Sequence, residues 1–258
     1  MPQRDAEIEW SRLKSADLRA LAARDAVVIL PVASTEQHGP HLATCVDTLL
    51  VGEIAKRAAR KVAGEMPVVV APTLWCGLAE HHLAFGGTFS LSFPTYLAVL
   101  RDLVRSLKVQ GFRRVLLFNG HGGNIAGLDV AATELARDPG LPVAVGSYWP
   151  AAGAAIGDIL EDQTTVLHAC EAETSMMLAV APDLVDAANL AAAAGPAGLD
   201  ESAFGEQPRR WKSFAEITPN GTIGNPARAT AAKGEKLLEL AADALVKRLR
   251  DGTIWPKA

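Results

Sequence analysis

The chain has 258 residues, a net charge of −4, 49% hydrophobic residues and 21% charged ones. That balance fits one sizeable globular core and leaves no basic footprint for nucleic acid. No apolar run reaches membrane-spanning length and residues 1–25 lack a signal-peptide core. The three cysteines, Cys45, Cys76 and Cys170, form no CxxC pair. A reduced, cytoplasmic protein without membrane or nucleic-acid partners is therefore expected.

Residues 1–25 read as a polar lead-in and a short helix, with Ser15 to Asp17 as its cap. Ala26 to Val32 is apolar and β-branched, which suits a strand buried on both faces. The chain then turns polar and delivers Glu36, His38, His41 and Asp47 within twelve positions. Thr48–Val62 has a helical pattern, closed by Gly64 and Pro67. Pro67–Trp75 predicts a second buried strand, opening into a polar loop with Glu80, His81 and His82. Phe85–Phe93 suggests a short strand or hairpin, and Pro94 starts a helix that runs to Lys108. Arg114–Phe118 predicts a third strand, which ends in NGHGGN, Asn119–Asn124, and enters a helix over Ile125–Ala136. Leu141–Trp149 predicts a fourth strand, and His168–Val180 reads as a helix. Residues 182–225, rich in Ala, Gly and Pro, are expected as an irregular surface excursion before a last helix over Ala227–Leu249. Strands alternating with helices imply a single α/β domain over residues 1–258, with a parallel sheet covered on both faces.

Parallel strands end along one edge of a sheet, and α/β folds place their sites there. Glu36 and His38 project to the same side in extended backbone. Mixed carboxylate and imidazole donors suit zinc, manganese or iron rather than calcium. Taken alone, Asp47 is an ordinary acid at a helix start. NGHGGN also fits a phosphate cradle or a plain turn. The convergence of three strand ends favours His121 as a ligand instead. HACEAETS adds His168, Glu171 and Glu173. On a helix His168 and Glu171 share a face while Glu173 points elsewhere. One carboxylate is then available to a metal and His168 to acid–base work, with a solvated helix start as the alternative. His168 and Glu173 reach one pocket only if the helix proper begins after His168. Trp149, beyond a strand end, is expected as a pocket wall or a core residue.

STEQHGPHL with the following Asp47, NGHGGN, HAxxxETS and GTIGNPARAT together resemble the creatininase family of metal-dependent amidohydrolases, over roughly residues 26–230. The resemblance implies a three-layer αβα sandwich with a mostly parallel central sheet, two divalent ions per chain and a homo-oligomer, commonly a hexamer, acting on a small-molecule substrate. It matches Glu36, His38, Asp47 and His121 to metal ligands, with Asp47 bridging, and Glu173 to the remaining carboxylate ligand. It matches His168 to a catalytic histidine and His82 to a histidine near the pocket. Creatininase proper has an aromatic residue and a ligand carboxylate after the NGH histidine, where this chain has Gly122 and Gly123. That departure points away from creatinine itself. The implied reaction is hydrolysis of a C–N bond other than an ordinary peptide bond by a metal-bridging hydroxide, with His168 as general acid/base. A hydrolase of lactones, cyclic ketones or peptide C-termini, and a non-catalytic metal scaffold, are the alternatives.

Overall fold

The computed structural model describes residues 7–204 and 208–255. The first six residues of the lead-in and residues 205–207 of the excursion lie outside that description. Four strands, β1 (Val27–Val32), β2 (Val68–Val70), β3 (Arg114–Asn119) and β4 (Ala144–Ser147), form one parallel sheet in the order β2-β1-β3-β4. The helices are α1 (Ser15–Ala23), α2 (Val46–Val62), α3 (Phe93–Val109), α4 (Ile125–Arg137), α5 (Tyr148–Ala152), α6 (Glu171–Val180), α7 (Glu201–Phe204), α8 (Phe214–Ile217) and α9 (Ala231–Arg250).

Strand alternation divides the core in two. Val27 and Ile29 of β1, with Leu116 and Phe118 of β3, pack against α2, α6 and α9. Val28, Leu30 and Val32, with Val115 and Leu117, pack against α1, α3 and α4. The period of two sends neighbouring residues to opposite faces, so a strand covered on both sides must be apolar throughout. This is the layered α/β sandwich that the sequence implies.

The second strand is shorter than the Pro67–Trp75 segment suggests, and Pro31 supplies the reason. Val27 N–H donates toward the β2 side, and the Ile29 carbonyl accepts from Ala71 N there. Pro31, two residues on, faces the same way but has no N–H to give. The second strand leaves the sheet at Val70, and Leu74 N returns to donate to the Pro31 carbonyl at 2.9 Å. Residues 71–73 bulge past the missing donor.

Other expectations are also corrected. Phe85–Phe93 forms no regular strand, because Gly86 and Gly87 both take positive φ and turn the chain. Glu80–Phe85 is a 3-10 turn rather than an open loop. Tyr148 and Trp149 leave the fourth strand for α5. The last helix starts at Ala231, where the Thr230 hydroxyl accepts from Lys233 N, and residues 226–228 form a separate turn. In α1 it is Asp17, in the first turn, that accepts from Lys14 N; Ser15 is already helical. The described residues of segment 182–225 are irregular, as expected, apart from short helical turns.

Helices α6 and α9 approach closely at Gly234. A Cβ there would collide with the Ser175 carbonyl. Gly234→Ala therefore sets two effects against each other. Helix propensity gains up to ~1 kcal/mol, while forcing two packed helices apart costs ~1–3 kcal/mol. Overpacking is expected to win because the obstacle is backbone, and urea unfolding should show a lower midpoint with an unchanged slope.

Candidate metal centre

The C-terminal strand ends converge as expected. The loop after β1 carries Glu36 and His38, and Asp47 sits in the first turn of α2. The loop after β3 carries His121, the 3-10 turn carries His82, and α6 brings Glu173 in its first turn. All six side chains are buried.

Two triads share one carboxylate. The Asp47 carboxylate places Oδ2 at 3.2 Å from His121 Nδ1, which is also 3.0 Å from Glu36 Oε2. Asp47 Oδ1 lies 3.2 Å from His38 Nε2, which is 3.8 Å from Glu173 Oε2. Within each of the triads Glu36–Asp47–His121 and His38–Asp47–Glu173, the donor atoms lie within 4.8 Å of one another.

The imidazole tautomers decide what these groups need. His121 Nε2 is 3.1 Å from the Leu78 carbonyl and His38 Nδ1 is 3.3 Å from the Glu36 carbonyl. A carbonyl only accepts, so both nitrogens carry the proton. In the neutral rings, His121 Nδ1 and His38 Nε2 then turn bare lone pairs on carboxylate oxygens. That contact is repulsive unless a cation stands between them, either a proton or a metal. Glu36 Oε1 and Oε2, Asp47 Oδ2 and His38 Nε2 are buried without hydrogen-bond partners, so the residues fit divalent ions.

Protons stand in where ions would sit. Burial alone would lower His38, but Asp47, Glu173 and Glu36 raise its pKa to about 9. His121 is likewise raised well above its ordinary value against its own burial, by Glu36 and Asp47. Glu36 is held well below the usual carboxylate range by His121 and His82, although burial opposes this. Glu173 is pushed up to about 7, chiefly by burial, with Asp47 and Glu36 adding to it.

NGHGGN is a structural staple as well as a ligand loop. Asn119 Oδ1 accepts from His121 N, and Asn119 Nδ2 donates to the His121 carbonyl and to Ser147 Oγ on β4. Asn124 donates to the Ala33 carbonyl and accepts from Leu78 N. A Cβ at Gly123 would strike the Leu78 carbonyl and the His121 and His81 rings. No carboxylate fits at that position in this conformation.

The helix α6 starts at Glu171, leaving His168 on the loop before it. The sharp turn is Ala169, a non-glycine residue at φ 52°, whose N–H donates to Glu173 Oε2 at 2.6 Å. That bond turns both His168 and Glu173 inward. Glu171 goes elsewhere: it pairs with Lys233 Nζ at 2.6 Å and accepts the N–H groups of Glu161 and Asp162. His41 also stays out of the triads, bonding Thr174 Oγ1 through Nε2 at 2.8 Å.

Gln37 was not singled out in the sequence, yet it links two imidazoles. His168 Nε2 lies 2.9 Å from the Gln37 carbonyl, to which it must donate. The two N–H bonds of the Gln37 amide then go to His82 Nδ1 at 2.8 Å and to the Gly221 carbonyl at 3.2 Å. His82 Nε2 carries its proton toward Glu36 Oε1, 3.2 Å away. His168 is left with a bare Nδ1 facing Glu36 Oε1 at 3.7 Å. Burial, with His38 and His82 nearby, holds its pKa well below the ordinary value. Phe214 of α8 joins them from a distant part of the chain. Its ring lies 4.1 Å from that of His82 and 5.0 Å from that of His168. The capping box from Ser213 to Glu216 marks the start of its helix but not its place over the two histidines. Trp149 lines the same cavity, of about 830 Å³, with Glu36, Asp47, His82, His121, His168 and Glu173 at its base.

Residues 11–249 match the family model described as creatininase, creatinine amidohydrolase. The mycofactocin precursor peptide peptidase of Mycobacterium ulcerans (strain Agy99) is 31% identical over 239 residues, covering 89% of this chain and 86% of its own. The creatinine amidohydrolase of Pseudomonas putida is 30% identical over 271 residues, covering 95% of each. The 3-dehydro-scyllo-inosose hydrolase of Thermotoga maritima (strain ATCC 43589 / DSM 3109 / JCM 10099 / NBRC 100826 / MSB8) is 29% identical, covering 93% of this chain and 79% of its own. A crystal structure of creatinine amidohydrolase superposes with a TM-score of 0.79 at 29% identity, over 97% of this chain and 99% of that one. Solved creatininases of comparable likeness include a manganese form and a Zn–Zn form.

The raised imidazoles generate a test. At pH 7 His38, with a pKa of about 9, and His121 both carry a proton that a metal must displace. Zinc titrated into metal-free protein should release about two protons, plus part of one from Glu173. Affinity should rise with pH. Calorimetry in buffers of different ionisation enthalpy reads the proton count directly.

Proposed function

The chain belongs to the creatininase family, and from that premise we propose that it is a metal-dependent amidohydrolase of small cyclic or linear amides. The shared carboxylate carries this reading. Asp47 faces His121 with one oxygen and His38 with the other, which is what a ligand serving two ions requires. Glu36, Asp47 and His121 would hold one ion, and His38, Asp47 and Glu173 the other, with zinc or manganese as the metals. Bound there, the ions would supply Lewis acidity to a substrate carbonyl and lower the pKa of a water.

The remaining chemistry belongs to side chains of this chain. His168 is neutral, carries its proton on Nε2 and faces Glu36 Oε1 with a free Nδ1. It is placed to take a proton from water at Nδ1 and return it to the departing nitrogen. Gln37 fixes the tautomers of His168 and His82 together. Phe214 covers both rings and reduces the water that competes for their hydrogen bonds.

A second reading draws on the names of two relatives, a peptidase and an inosose hydrolase. The same arrangement would attack a peptide C-terminus, a cyclic ketone or a lactone. A non-catalytic scaffold fits less well, since it has no use for a neutral histidine with an unshared nitrogen facing the ligands.

Elemental analysis should find about two ions per chain in protein purified without added metal. Asp47→Ala should lose both, and full retention would defeat the shared role. His168→Ala should keep both ions and turn over about 10²–10⁴-fold more slowly. Loss of an ion from that variant would make His168 a ligand instead. A screen of cyclic amides, formamides, peptides and lactones separates the two readings.

A further inference from the structure

The cavity above the metal centre is more apolar and larger than a small polar heterocycle needs. Its volume of about 830 Å³ lies toward the upper end of the ~300–1,000 Å³ that enclose drug-sized ligands. Five of the thirteen exposed large apolar side chains among the described residues line this one cavity: Phe93, Ile125, Leu199, Phe204 and Trp211. Scattered singly, such residues are unremarkable, but gathered at a site mouth they mark a binding surface. The charges on the upper wall are few. Lys212 is paired with Asp200 at 2.8 Å and only 15% of its side chain is exposed. Glu80 is the other charged residue there. Among the described lining residues, no unpaired Lys or Arg is available to recognise a carboxylate or phosphate.

One glycine of NGHGGN, Gly122, widens the floor. Gly122 is exposed, and a Cβ built on it would meet no atom within 4 Å. The space beside His121 is open rather than filled by a side chain. From these observations we infer that the substrate is an uncharged amide carrying a bulky apolar group, of one or two aromatic rings, which lies against Phe93, Phe204 and Trp211. This rests on the amidohydrolase reading for the scissile bond, but its contacts lie outside the metal triads.

The test uses hydroxamates, whose head group binds divalent metal and whose tail varies. Acetohydroxamate, benzohydroxamate and 2-naphthohydroxamate are titrated into the metal-loaded protein by calorimetry. The aryl probes should bind about 10–100-fold tighter than the methyl probe. Gly122→Leu, which fills the open floor, and Trp211→Ala, which removes a wall, should each shrink that ratio. A flat ratio in the unaltered protein overturns the inference, as does failure of all three probes to bind. Hydrolysis is assayed separately, on acetamide-sized and aryl amides. A protein that prefers aryl probes yet cleaves no amide keeps the apolar subsite and loses the amidohydrolase reading. One that cleaves small amides best and binds the probes equally does the reverse.

Discussion

Three carboxylates buried around two imidazoles set the terms for the rest of this molecule. Glu36, Asp47 and Glu173 are each at most 5% exposed, and buried anions of one sign cannot stand together uncompensated. The ring nitrogens facing them would be bare in the neutral tautomers, because their partners are tied to backbone carbonyls. The cluster therefore has to bind cations. In the metal-free protein these are protons, which is why His38 and His121 hold theirs so firmly. Proton and metal compete for the same few ångströms.

Rigid supports around the cluster make that competition specific. Asn119 and Asn124 tie the loop after β3 to Ala33 just past β1, to Ser147 of β4 and to Leu78 ahead of the turn that carries His82. The Ala169–Glu173 bond holds α6 at the angle that brings His168 to one side of the ligands and Glu173 to the other. Gln37 spends every polar atom of its amide, since its Oε1 accepts from Gly39 N. A side chain so fully engaged cannot rotate without stranding buried groups, so the two histidines it serves keep their protons on fixed nitrogens. The fixed tautomers of His82 and His168 thus follow from hydrogen-bond accounting within the chain.

The wall away from the carboxylates follows different physics. There the chain offers apolar surface, few charges, and a glycine, Gly122, in place of a side chain. On the proposed reading, a polar base under an apolar mouth would separate two tasks: chemistry at the carboxylates and selection by shape and hydrophobicity above them.

The sequence by itself determined much of the fold and the identities of the polar cluster. Fully apolar strands in alternation with helices leave little choice but a covered parallel sheet. Such a sheet gathers its strand ends along one edge, so Glu36, Asp47 and His121 were legible as neighbours from their positions alone. The place of His168 before its helix was also legible, because helical geometry forbids it and Glu173 a common pocket otherwise. Tertiary structure decided the remainder. The second strand ends early because Pro31, on another strand, lacks the donor it would need. Glu171 and Glu173, two residues apart in one motif, part company because Lys233, some sixty residues on, claims the first. Gln37 and Phe214 carry no local signal of their roles, since what they do depends on partners far along the chain. Pairings of that kind are set by packing, and packing is not written in any short stretch of sequence.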